Sequence, residues 1–234
     1  HLDAIALSTV AQIANGAGVP PSAVMRFCQI MGFTGFAEMQ RLFREALSRA
    51  APDYATRLAN LKAGGAGQPS TLVAEFVEAG RQSMEALARD LNESSLNQAV
   101  ATLAQALIIH LAGFRRSFPV ARYLAYVFDK LGVATVLHDG VAGLGNRSSL
   151  QPGDALLAIT FAPYSEETLS LAAHARDRGL AVVALTDPPA SSLSSVADTI
   201  LTVTEIDFGA FRSLSAVIAL ALALAVAVAA RRET

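Results

Sequence analysis

Residues 155–168 read ALLAITFAPYSEET, and this stretch decides the fold. From Ala155 to Phe161 the chain is apolar at every position except Thr160, too continuous for a strand with one wet face. Such runs belong to parallel strands covered by helices on both sides. After the Ala162-Pro163 turn comes Ser165-Glu166-Glu167-Thr168, a hydroxyl followed by two acids, which is how a helix begins. The stretch therefore predicts strand, turn and helix in succession. Residues 106–112, 133–138, 181–186 and 199–203 predict four further strands, and residues 117–131 and 166–178 predict helices between them. Alternation of this kind specifies an α/β class with a five-stranded, parallel, doubly wound sheet. Helices are also expected at residues 70–90 and 94–103.

Residues 214–230 are apolar but for Ser215. The run is short for a bilayer and rich in weakly hydrophobic alanine, so it predicts a helix buried against the sheet and no membrane partner. The first sixty residues show only helical periodicity. A short helix is expected over residues 9–17, ended by Gly18-Val19-Pro20, and a second from Pro21 to Met31, ended by Gly32. With a third at residues 36–50, this is an all-α helix-turn-helix pattern. Val24 and Phe27 are assigned to its core, and Cys28 is expected to be a buried structural thiol. The glycine-rich residues 64–67 place the boundary, giving a head at 1–62, a linker at 63–69 and an α/β domain at 70–234.

Composition narrows the function. Hydrophobic residues make up 53% and charged ones 16% of 234 residues, which excludes a disordered chain. One cysteine excludes an internal disulfide framework and fits the reducing cytoplasm. No signal peptide is visible. No metal or cofactor is expected, because the four histidines are far apart and no cysteine cluster exists. Residues 1–62 carry six basic and four acidic side chains, a net of +2 in a chain whose total is −2. A mildly basic head on an acidic body is compatible with DNA contact.

In doubly wound sheets ligands bind beyond the carboxyl ends of the strands. That rule selects Phe114-Arg115-Arg116-Ser117, His138-Asp139-Gly140, Tyr164-Ser165-Glu166-Glu167-Thr168 and Asp187-Pro188. Ser117, Ser165 and Thr168 place hydroxyls at helix N-termini, where free N–H groups and the helix dipole favour an anion. The same spacing also serves plain N-capping. Arg115 and Arg116 suit a bidentate grip on phosphate, or else a solvated loop or an oligomer contact.

Residues 113–121 (GFRRSFPVA), 155–168 and 184–187 (ALTD) resemble the sugar-isomerase (SIS) domain of RpiR/MurR-type transcriptional regulators. Residues 9–36 (TVAQIANGAGVPPSAVMRFCQIMGFTGF) resemble that family's helix-turn-helix. The resemblance implies a phosphosugar-binding SIS sandwich that dimerises and controls how the head engages operator DNA. It puts phosphate binding on Ser117, Ser165 and Thr168; the loop reading adds Arg115, Arg116, Tyr164 and Glu167 as ligand-binding candidates beside them. It also puts DNA contact on Ser22, Met25, Arg26 and Gln29, although Arg26 serves equally well as an internal support. Family members carry more helix ahead of this head, which implies an N-terminal truncation. Pro163 and Glu166 depart from the family's Ser-x-Ser-Gly-x-Thr loop, and Glu166 adds negative charge where an anion would approach. Two alternatives share the fold. One is an aldose–ketose isomerase, with His138, Glu167 or Glu205 as general base. The other is a SIS binding module whose head no longer reads DNA. The helix-turn-helix favours a regulator without catalytic residues.

Overall fold

The computed structural model describes residues 9–40, 54–63, 68–141, 147–188, 193–208 and 211–232. The chain divides into two compact units, His1–Leu58 and Ala59–Thr234.

In the first unit, α1 (Val10–Gly16) starts from Thr9 in a capping box. The Gln12 amide donates to Thr9 Oγ1 at 3.2 Å, and the Thr9 amide donates to Gln12 Oε1 at 2.8 Å. Gly18 then adopts φ +67°, a left-handed turn open to glycine at no steric cost. Pro21 opens α2 (Pro21–Ile30), where its missing N–H does no harm. Residues 36–40 begin the expected third helix, whose continuation at 41–50 lies outside the described residues. Ala14, Val24, Cys28, Phe36 and Met39 form the core of this unit. Phe27 is not among them. Val24 and Cys28, four residues apart, share the inward face of α2, while Phe27 is turned away from it and is 53% exposed.

Outside the sheet, the chain holds α3 (Tyr54–Ala63) and then, in the second unit, α4 (Pro69–Asp90) and α5 (Glu93–Gln105). The sheet of the second unit is built from β1 (Ile109–Gly113), β2 (Thr135–His138), β3 (Ala155–Ile159), β4 (Ala181–Thr186) and β5 (Thr199–Thr202). Their order is β2-β1-β3-β4-β5, all parallel. Between them run α6 (Phe118–Lys130) and α7 (Glu166–Asp177). β1 begins three residues later than the apolar run suggested. Leu107 is 70% exposed there, and the carbonyls of Leu103 and Ala106 accept hydrogen bonds from Arg232 at 3.1 and 2.5 Å.

The run at 214–230 becomes α8 (Ser215–Arg232), a helix long and apolar enough to cross a membrane that here packs against α4, α5 and α6. Its Val217, Leu220, Leu224 and Val228 join Leu111, Leu157, Leu185 and Leu201 in one core. Each fully buried leucine stabilises by about 1.5–3 kcal/mol relative to exposure. The opposite face of the sheet packs α7 through Leu171, Ala172 and Ala175. A hairpin of β6 (Asp207–Phe208) and β7 (Phe211–Arg212) escaped the sequence reading, since two-residue strands carry no periodicity. Its phenylalanines meet Phe76 of α4 edge to face, with centroids 5.7 and 6.5 Å apart.

Candidate functional site

The strand order reverses at β1 and β3: the helix after β1 packs on one face of the sheet and the helix after β3 on the other. The loops leaving these two strands therefore flank the crevice in which such sheets hold ligands. In the first loop, a Cβ on Gly113 would lie 3.0 Å from the Ser117 carbonyl oxygen and 3.1 Å from Ala121 Cβ. Glycine lets the start of α6 sit directly against the end of β1. Arg115 takes φ +54°, and residues Arg115–Ser117 form a 3-10 turn leading into α6. Ser117 is buried at the N-cap and makes no side-chain capping bond.

In the third loop, the buried Ser165 caps α7 by accepting from the Thr168 amide at 3.3 Å. Its own amide donates to Thr160 Oγ1 at 3.0 Å, which fixes the turn. Ser165 Oγ also donates to Glu167 Oε2 at 2.6 Å. Thr168 is fully buried, and its Oγ1 has no hydrogen-bond partner among the described residues. A buried hydroxyl is costly to leave unpaired. The Ser165 hydroxyl, the backbone amide of Glu167 itself and the Arg115 guanidinium hold the Glu167 carboxyl below its usual range. The Arg115 contact is long, at 3.4 Å, and largely solvated.

The two arginines of the first loop separate. Arg115 turns toward Glu167, whereas Arg116 donates to the Ser213 carbonyl at 2.7 Å and lies over the Phe161 ring, 5.7 Å from its centroid. Tyr164 is half-buried beside Ser165. Sequence reasoning missed Arg212. From β7 it donates to the Ala162 carbonyl at 3.1 Å and lies 3.7 Å from Asp187, whose carboxylate accepts from the Ala162 amide at 3.2 Å. Arg212 stands fifty residues from Ala162, and no local pattern announces the contact.

The three candidate bases are all engaged. His138 is buried against His110, Glu167 is held by Ser165, and Glu205 accepts from Ser213 Oγ and the Val217 amide, both at 2.9 Å. In the first unit, Ser22, Met25, Arg26 and Gln29 are exposed on α2. Their spacing of three, four and seven residues puts them on one face.

Residues 102–228 match the SIS domain, and residues 1–50 match the helix-turn-helix domain of the rpiR family. The Escherichia coli HTH-type transcriptional regulator YfhH is 32% identical over 69% of this chain and 57% of its own length. The chain spans 57–66% of the length of the curated relatives it matches. Among solved structures, the sugar isomerase domain of an RpiR transcription factor from Sphaerobacter thermophilus superposes with a TM-score of 0.65 at 23% identity. That match covers 69% of this chain and 92% of the other. Vibrio vulnificus NanR complexed with ManNAc-6P gives 0.63 at 22% identity, covering 98% of this chain and 80% of NanR. At such identities these two share its fold. The chain belongs to the SIS-domain family, in the rpiR-type order with a helix-turn-helix head ahead of the α/β domain.

Proposed function

We propose that this protein is a cytoplasmic transcriptional regulator whose SIS domain senses a phosphorylated sugar and whose head binds operator DNA as part of a homodimer. The observation that carries the reading is the rpiR-type head joined to a SIS domain whose two switch-point loops present helix starts. The orphaned Thr168 hydroxyl, capping Ser165 and the buried Ser117 are the groups we assign to the phosphate. Arg115, Tyr164 and Glu167 border them, and Arg116 holds the loop from behind. A NanR structure containing ManNAc-6P supports a sugar phosphate as the effector class. Ser22, Met25, Arg26 and Gln29 form the face assigned to DNA, with phosphates fixing the register and base edges the specificity. We place the linker between head and SIS domain at residues 63–69, where α3 ends, rather than after Leu58, inside that helix, where the compact units divide. No catalytic role is assigned, because His138, Glu167 and Glu205 all serve contacts within the protein.

The test is fluorescence anisotropy on the DNA upstream of the protein's own gene, at low salt, with a panel of hexose and aminohexose phosphates. The expected result is binding that weakens steeply with salt and shifts with one member of the panel. Absence of DNA binding at low salt, or indifference to every sugar phosphate, would overturn the reading.

A further inference from the structure

We propose that Glu167 is an internal competitor for the effector's anion, occupying donors of the phosphate site until a phosphate displaces it. The inference rests on the anion site assigned above and goes beyond it by giving that site a resident occupant.

Three kinds of donor recognise a phosphate at a helix start: a hydroxyl, a first-turn amide and a guanidinium. All three act on the Glu167 carboxylate. Ser165 Oγ donates to Oε2 at 2.6 Å and Arg115 Nη2 lies 3.4 Å from Oε1; with the Glu167 amide they hold the carboxyl below its usual range. The Ser165 hydroxyl has one proton, so it serves either the carboxylate or an incoming phosphate. Thr168 is what the carboxylate leaves behind, a buried hydroxyl with no partner among the described residues. Glu166, one position earlier, is exposed and makes none of these contacts. The two acids of this loop therefore differ in kind: Glu167 blocks particular donors, and Glu166 contributes only general charge. A mono-anionic or neutral sugar gains little by exchanging with a carboxylate. A phosphate, with more charge and three acceptor oxygens, gains more, so the exchange selects for phosphorylated ligands.

The experiment is titration calorimetry of the full chain with inorganic phosphate and with glucose 6-phosphate, comparing wild type with Glu167→Gln, Glu166→Gln and Ser165→Ala. Glu167→Gln should tighten both ligands by about fivefold, the effect of one unit charge at about 4 Å in a water-like dielectric. Glu166→Gln should tighten them less, and Ser165→Ala should weaken them. Unchanged or weaker binding in Glu167→Gln, with Ser165→Ala still impaired, overturns the competitor and leaves the anion site standing. Equal tightening by both glutamine variants overturns it as well, since the carboxylate would then act as bulk charge. Failure of wild type and Glu167→Gln alike to bind either ligand removes the anion site itself.

Discussion

His110 and His138 share a hydrogen bond inside the protein, with Nδ1 of the first 3.0 Å from Nε2 of the second and both rings buried. The other side of His110 is held by Asp154, whose Oδ2 lies 3.1 Å from Nε2. Asp154 also accepts from the amides of Ile108 and Gln151, at 3.2 and 3.0 Å. A carboxylate that only accepts makes His110 Nε2 the donor, so with a neutral ring His110 Nδ1 accepts from His138. The chain of contacts fixes both tautomers and ties β1 and β2 to the turn before β3. His110→Leu removes a donor from Asp154 and an acceptor from His138 at once. It should lower stability by about 2–4 kcal/mol in urea denaturation. A loss within about 0.5 kcal/mol would mean that the three groups are not coupled in this way.

Thr168→Val should separate stability from binding. The substitution keeps the shape and deletes a buried hydroxyl that has no partner among the described residues. Stability should stay within about 0.5 kcal/mol of wild type or rise, while sugar-phosphate affinity falls by about tenfold, the worth of one hydrogen bond to a charged group. Thermal melts and calorimetry on the same sample check both. An unstable variant with intact affinity would make the hydroxyl a packing group.

The Glu167 carboxyl is held below its ordinary value near 4.5, first by Ser165 and then by its own amide and Arg115. A group whose folded value is depressed adds stability that is present above the unfolded value and lost as pH falls through the folded one. Wild type should therefore melt above Glu167→Gln at neutral pH, and the gap should close as the pH drops below 4.5. Because the side chain is half exposed, the gap at neutral pH should be small. A gap that stays constant down to pH about 3 would show that charge is not its source.

Much of this was legible in advance for a physical reason. Strands buried on both faces read as unbroken apolar runs, so β3 and β4 announce themselves, and strand ends locate the ligand loops without further information. Contacts made across long stretches of chain leave no periodic trace. Arg212 reaching Ala162 and His110 reaching Asp154 are of that kind. Phe27 was misplaced because Cys28 is the better geometric partner of Val24, although less hydrophobic by type. Nor could spacing reveal that the Ser165 hydroxyl is already engaged by the chain's own carboxylate.

For the head, Arg26→Ala should lower the slope of log affinity against log salt by about one if the guanidinium contacts a DNA phosphate. Gln29→Ala should leave the slope alone and relax preference at one base position. Measuring anisotropy at four or more salt concentrations distinguishes them, and an unchanged slope for Arg26→Ala makes it an internal support of the unit.

Helix α8 follows every strand in chain order, yet it packs on α4, α5 and α6 and completes the core on one side of the sheet. On the ribosome, β1 to β5 emerge with α5 and α6 able to cover Leu111, Leu157, Leu185 and Leu201, but with the α8 side of that core still open. The second unit therefore completes its fold only once residues 215–232 have left the exit tunnel. Until then the nascent chain shows an apolar face on those helices that a holding chaperone would have reason to bind.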